Sequence, residues 1–267
     1  MDSTSPIRNT TFESPSSAYV QVDHTEQNAI TGRHSARVQS LKQYNDGLFI
    51  FDVKHSPYGC ATWPAIWLAD AYNWPTNGEV DIVEAVNQGN TGVQSTLHTT
   101  KGCTMNVKRK ETGKISGTNC WNGTDNNNGC GVMGPVDSYG AALNANGGGV
   151  YAAELRSEGI RIWFFARASL PGDVSAAINT GSSDTTHPDP SKWGDALADF
   201  PSTDCDIGSH FRNQSIIVNV SLCGQWAGRV YATDNCPSSC ETYVAQNPAA
   251  FDQAYWELGR FKVYQAA

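Results

Sequence analysis

The sequence predicts an all-β chain, a sandwich of two antiparallel sheets, on three observations. Short runs rich in β-branched and aromatic residues recur along the 267 residues, most of them bounded by Gly, Asn, Pro or Ser. In the clearest runs the apolar residues alternate: Ile160, Ile162 and Phe164, then Ile216, Val218 and Val220, then Phe261 with Val263. That period of two marks strands with one buried face. Gly (25) and Asn (20) are abundant while charged residues are only 16%, so turns are many and helices few.

In chain order the runs are Tyr19–Val22, Ala36–Ser40, Leu48–Val53, Val80–Val83, Ile160–Phe165, Ile216–Leu222 and Arg260–Tyr264. The stretch 102–149 has little periodicity and carries three cysteines, Asn126-Asn127-Asn128 and Gly147-Gly148-Gly149. It reads as long loops pinned by disulfides. Helical signal is confined to about 240–247 and 248–254, the second after a proline at a plausible helix start. No repeat, heptad seam or Pro/Gly-rich linker divides the chain, so one domain is expected.

Composition narrows the function. A net charge of -8 without a Lys/Arg cluster repels phosphate backbones and anionic lipid, so neither nucleic acid nor a membrane is an expected partner, and a neutral substrate suits the surface better. No 18-residue apolar stretch occurs. Ten Tyr, nine Phe and eight Trp supply enough large apolar side chains for a sizeable core. Eight cysteines, an even number, point to disulfides and an oxidising compartment, with the pairing left open among 105 connectivities. Buried free thiols are the alternative; zinc is disfavoured because the one close pair, Cys236 and Cys240, has no second pair at structural-site spacing. Sequons at Asn9, Asn122, Asn213 and Asn219 are compatible with glycosylation. The first residues carry no signal peptide, so a secreted chain must have lost its signal or lack its start.

The most informative segment is Gly78-Glu79-Val80-Asp81-Ile82-Val83-Glu84-Ala85, a β-branched run interrupted by three carboxylates that repel one another. In a regular strand Glu79 and Asp81 share a face and Glu84 points the opposite way; a one-residue bulge near Ile82 and Val83 would bring all three together. The two glutamates would then stand about 13 Å apart at Cα, with side chains able to lean toward each other. The remaining gap approaches the roughly 5 to 5.5 Å of a retaining glycosidase pair. That geometry gives Glu79 the task of nucleophile, Glu84 that of acid then base, and Asp81 that of holding protonation and orientation between them. A solvent-facing acidic edge strand and a partial metal site fit the spacing too. The surroundings favour sugar chemistry, because Trp63, Trp67, Tyr72 and Trp74 lie just upstream. At least one of these is expected to be core packing, with Trp63 the candidate.

These residues resemble glycoside hydrolase family 16, specifically fungal laminarinase-like endo-β-1,3(4)-glucanases. The resemblance runs from about Ala36 to Gln265, through the Cys60–Trp67, Asn77–Asn87 and Leu97–Thr99 blocks, Asn144–Gly149, Cys205–Phe211 and Cys223–Gly228. It implies a β-jelly-roll with a carbohydrate cleft across its concave sheet and cleavage of internal β-glucan bonds with retention, so β-glucan polysaccharide is the expected partner; with the cysteines and sequons the expectation is a secreted monomeric glycoprotein that requires no cofactor or metal. Carried over by position, Glu79 is the nucleophile, Asp81 the assisting acid and Glu84 the acid/base. His98 on the neighbouring strand is a supporting residue. Trp67, Trp74 and Trp226 are expected to line the glycone side, and Asn87 to contact sugar hydroxyls. The E-x-D-x-x-E spacing favours β-1,3 or mixed β-1,3-1,4 glucan over the substrates of the shorter motif. Residues 1–16 match poorly, leaving 17–267 as the catalytic domain, expected to lack an early strand and so to leave a sheet edge unpaired.

Asp125-Asn126-Asn127-Asn128-Gly129 reads as a turn, its glycine being misplaced for an EF-hand loop. No nucleophile elbow, phosphate loop or dinucleotide fingerprint occurs. Two rivals to a hydrolase remain: a β-glucan transglycosylase on the same site, separable by product lengthening, and a non-catalytic β-glucan-binding protein, against which the three acids argue.

Overall fold

Two seven-stranded antiparallel sheets face each other in a computed structural model that describes residues 11–14, 17–88, 92–180 and 187–265. One sheet, here the outer sheet, runs β1 (Thr11–Ser14), β2 (Ser17–Gln21), β14 (Tyr255–Tyr264), β4 (Gly47–His55), β10 (Gly149–Arg156), β11 (Gly159–Ala166) and β12 (Ala198–Pro201). The other, the cleft sheet, runs β3 (Arg37–Tyr44), β13 (Gln214–Leu222), β5 (Thr62–Ala69), β6 (Glu79–Glu84), β7 (Gln94–His98), β9 (Cys130–Met133) and β8 (Lys114–Ile115). This is the expected jelly-roll sandwich.

Alternation decides what lies between the sheets. Phe49, Phe51 and Val53 of β4 meet Ile66 and Leu68 of β5, Val80, Ile82 and Val83 of β6 and Val218 and Val220 of β13 in one buried core. Leu48 and Ile50 point the other way, with Val150, Ala152 and Trp163, into a second apolar cluster on the outer sheet's far side. Helix α2 (Gly172–Asn179) covers it with Val174, Ala177 and Ile178, an i, i+3, i+4 stripe. Because both its faces are buried there, β4 is apolar without a break from Leu48 to Phe51.

Three features correct the sequence reading. Helices are not confined to α4 (Cys240–Gln246) and the turn after it: α1 (Gly140–Ala145), α2 and α3 (Ile207–His210) are present, each too short to show a full periodic pattern. The stretch 102–149 is not loop alone, since it contains β8, β9 and α1. Strands β5 and β10 did not stand out, because Pro64 interrupts the first and Ala152 and Ala153 dilute the second.

All eight cysteines are paired: Cys60–Cys236, Cys103–Cys205, Cys120–Cys130 and Cys223–Cys240. Two bridges tie the segment after β13 back to the start of β5 and to α4, and two fasten the loops flanking β7 and β9. Each tie lies beside the cleft sheet, whose free face carries, among the described residues, no covering helix of the kind α2 provides opposite.

Candidate active site

Strand β6 carries its three acids on one face because it is bulged. Against β5, Glu79 pairs with Ala69 and Asp81 with Trp67, then the register slips and Glu84 pairs with Ala65. Against β7 the same slip falls between Asp81 and Glu84, which oppose Thr96 and Gln94, while Glu79 opposes His98. The extra residue turns both Ile82 and Val83 into the core and leaves Glu84 beside Asp81. A regular strand would have buried one carboxylate among the aliphatics.

Each acid has a different environment. The Trp63 indole N–H donates to Glu84 Oε1 at 2.7 Å. Burial, then the Asp81 and Glu79 charges, push the Glu84 carboxyl well above the usual carboxylate range. Asp81 is buried, is raised by that burial, and shares a hydrogen bond with Glu79. Its Oδ2 lies 3.3 Å from His98 Nε2. Glu79 is half-buried and pushed up to about 8 by desolvation and by Asp81, while His98, a hydrogen bond from Trp74 and the Arg37 charge pull the other way. Three close carboxyls cannot ionise together, and the groups opposing the rise differ. Glu84 is raised well above the ordinary range, Glu79 and Asp81 are each pushed up to about 8, and of the two glutamates Glu79 has the Trp74 donor and the Arg37 charge opposing its rise.

His98 is held from both ends. Its Nδ1–H donates to Asn127 Oδ1 at 3.0 Å, which turns Nε2 toward Asp81. Ligand atoms of Glu79, Asp81 and His98 lie within 4.8 Å of one another, close enough to seat a cation as well as to share protons.

A hollow of about 360 Å³ opens over this cluster, bounded by Glu79, Glu84, His98, Trp63, Asn127 and Trp226. The Trp226 ring meets Trp63 edge to face, with centroids 6.1 Å apart. Trp67 shares the face of the acids but lines a separate hollow of about 690 Å³ with Asn219 and Ser221. Its indole N–H donates to Asn219 Oδ1 at 2.7 Å, and Arg37 lies over its ring at 4.7 Å. Trp74 is 41% exposed and follows the acids through its bond to Glu79.

Two expectations are corrected. Asn87 does not reach the cleft: it is fully buried in a left-handed backbone conformation, accepts from the Ala61 N–H and donates to Ala227 O and Asp234 Oδ2. Trp63 is not core packing but a cleft residue bonded to Glu84. Its position four residues before Trp67 on one strand was the signal for this, because a period of two puts both on one face. Asn127, Gln94, Gln225 and Arg229 also line the hollow and carried no sequence signal that separates them from surface residues.

A family model described as the XgeA-like catalytic GH16 domain matches residues 5–264. The chain belongs to glycoside hydrolase family 16. It is 47% identical over 256 residues to a probable glycosidase of Schizosaccharomyces pombe, covering 94% of this chain and 58% of that protein. It is 41% identical over 257 residues to an endo-1,3(4)-β-glucanase of Arthroderma benhamiae, covering 92% of this chain and 54% of that one. This family 16 chain thus spans little more than half the length of these two relatives. Among solved structures, laminarinase 16A of Phanerochaete chrysosporium, with β-glucans in its donor and acceptor sites, superposes with a TM-score of 0.91 at 42% identity, covering 96% of this chain and 86% of that one. An elongating family 16 β-1,3-glucosyltransferase superposes with a TM-score of 0.85 at 36% identity, covering 95% and 84%.

Proposed function

We propose that this chain carries the catalytic domain of a secreted retaining endo-β-1,3(4)-glucanase, with the β1 strand at Thr11–Ser14 included in it. Glu79 is the nucleophile and Glu84 the acid/base. The observation that carries this reading is the bulge in β6, which sets the carboxyl most strongly held protonated on the same face as a second glutamate that a Trp74 hydrogen bond and the Arg37 charge favour as an anion.

In the first step the Glu84 proton goes to the glycosidic oxygen as that bond breaks, and a Glu79 oxygen bonds to the anomeric carbon. In the second, Glu84, now a carboxylate, takes a proton from water whose oxygen attacks the same carbon and releases Glu79. Two inversions give retention. Asp81 shares its hydrogen bond with Glu79, and His98 borders Asp81. Trp67, Trp74 and Trp226 present aromatic surface to sugar rings, with Asn219 at the Trp67 end. Four disulfides support an extracellular site of action.

The test is reducing-end release from laminarin and from mixed-linkage glucan, with the anomeric configuration of the first product followed by NMR. Wild type is expected to release β-configured ends, with Glu79→Gln lower by about 10³-fold or more. Activity retained by Glu79→Gln, or lost from wild type in EDTA, sinks the reading. The glucosyltransferase neighbour supports a second reading, in which a sugar hydroxyl replaces water in the second step; products longer than the starting oligosaccharide would select it.

A further inference from the structure

The loop 121–129 lies between two bridged cysteines and leans over the active-site cluster. Cys120 and Cys130 close it, and Cys130 begins β9, the strand next to β7. At its centre Asp125, Asn126 and Asn127 all take positive φ, from 49° to 59°. Asn and Asp tolerate this better than other side-chain-bearing residues. Gly129 follows at φ +67°, and a Cβ there would come within 2.7 Å of His98 Cε1. The left-handed run and the bare glycine let the loop approach the His98 ring, and the side chain that arrives is Asn127, with Oδ1 3.0 Å from His98 Nδ1.

That contact decides something about the site. A neutral imidazole has one N–H, and the partner of one nitrogen fixes the character of the other. With the hydrogen on Nδ1 and directed at Asn127, His98 Nε2 is an acceptor 3.3 Å from Asp81 Oδ2, so the proton that burial favours on Asp81 can point at it; Oδ2 has no hydrogen-bond partner among the described residues. Asp81 in turn bonds to Glu79. Asn127 touches neither glutamate through any such bond, and it belongs to a different segment of chain from β6.

We propose that Asn127 is a positioning residue of the hydrolytic site, fixing the tautomer and orientation of His98 so that Nε2 stays presented to Asp81. This rests on the assignment of Glu79, Asp81 and Glu84 made above. Asn127 borders the hollow, but its one side-chain hydrogen bond among the described residues goes to His98, so its loss is expected to act on turnover more than on binding. The Cys120–Cys130 bridge and the left-handed turn are the means by which the loop keeps the amide in place.

The experiment compares wild type with Asn127→Gly, which removes the amide and suits positive φ, and with Asn127→Asp, which keeps an acceptor oxygen and tolerates the same backbone. Asn127→Gly is expected to lower kcat on laminarin about tenfold with KM within about twofold, and Asn127→Asp to recover most of the loss. Combined with His98→Gln, Asn127→Gly should add no further loss, because both act through one ring. In two-bond ¹H–¹⁵N spectra the His98 ring, assigned by its absence in His98→Gln, should show the Nδ1–H form in wild type and a mixture in Asn127→Gly. Wild-type kcat in Asn127→Gly, an unchanged His98 spectrum, or losses that multiply with His98→Gln would each overturn the proposal. The Glu79→Gln comparison tests the underlying reading separately, since its outcome does not depend on residue 127.

Discussion

The two sheets are built from the same number of strands and share one core, yet their outward faces are finished in opposite ways. On the outer sheet the far face is apolar and roofed: Ile50, Val150 and Ala152 are fully buried beneath α2. On the cleft sheet the far face is left open and lined with groups that cost stability to bury, namely Asp81 and Glu84 together with the Trp63 indole. The same pleat that makes one face a second core makes the other a candidate site with its acids open to a hollow. The consequence is a difference of sign. Removing a side chain from the roofed face is expected to take away stability and leave chemistry intact; neutralising one on the open face is expected to remove chemistry and add stability.

The largest effect that separates the faces is expected at Ile50. It is fully buried in the outer cluster and pairs across the sheet with Ala152, so Ile50→Ala leaves a cavity under α2. A loss of about 2 to 5 kcal/mol in unfolding free energy is expected by urea titration, with kcat per folded molecule unchanged. A drop in kcat at temperatures where the variant remains folded would mean that the two faces are not independent.

Trp63 sharpens the comparison at a residue that serves both sides. Its ring packs against Trp226 in the hollow, and its N–H is the hydrogen bond to Glu84. Trp63→Phe keeps an aromatic and loses the donor. A hydrogen bond to a neutral carboxyl contributes about 0.5 to 1.5 kcal/mol, so kcat/KM on laminarin should fall a few-fold, up to about tenfold. An unchanged rate would show that the bond does not orient the acid.

How much of this was legible in the sequence follows the range of each interaction. The alternation in β11, β13 and β14 is local, and so is the odd spacing from Asp81 to Glu84 that demanded a bulge, which the register slip in β6 bears out. Trp63 was legible too, since its parity with Trp67 set its face, but a tryptophan's size alone argued for the core. Asn87 follows the carboxylate strand in sequence, and only a left-handed turn at that residue sends its amide inward to Ala61, Ala227 and Asp234. Asn127 could be recognised as a turn former, while its partner His98 lies 29 residues away and is met only through the pairing of β7 with β9. Residues whose role depends on a neighbouring strand or a returning loop had no local signature. The sequons divide for the same reason: Asn219 is buried beside the Trp67 hollow with its amide bonded to Trp67 and Ser221, Asn213 sits in an exposed turn, and Asn9 lies outside the described residues.

The smallest expected effect is the most direct test of the difference in sign. The Glu84 carboxyl is raised by burial and by Asp81 and Glu79, so the folded protein holds a proton there that the unfolded chain releases near its ordinary value of 4.5. Below that value both states are protonated and the group contributes its full stability. As pH rises toward the folded-state value the folded chain binds more protons than the unfolded one, so stability falls. Glu84→Gln keeps the shape, can still accept from Trp63 and does not titrate. It should therefore melt close to wild type at pH 4 and above it at pH 8, by about 2 to 4 °C for each kcal/mol relieved, while its glucanase activity is lost. Differential scanning calorimetry at the two pH values checks this. A gap that stays constant or shrinks as pH rises would mean that Glu84 is not the buried proton holder, and the acid/base role would have to move to another carboxyl of the cluster.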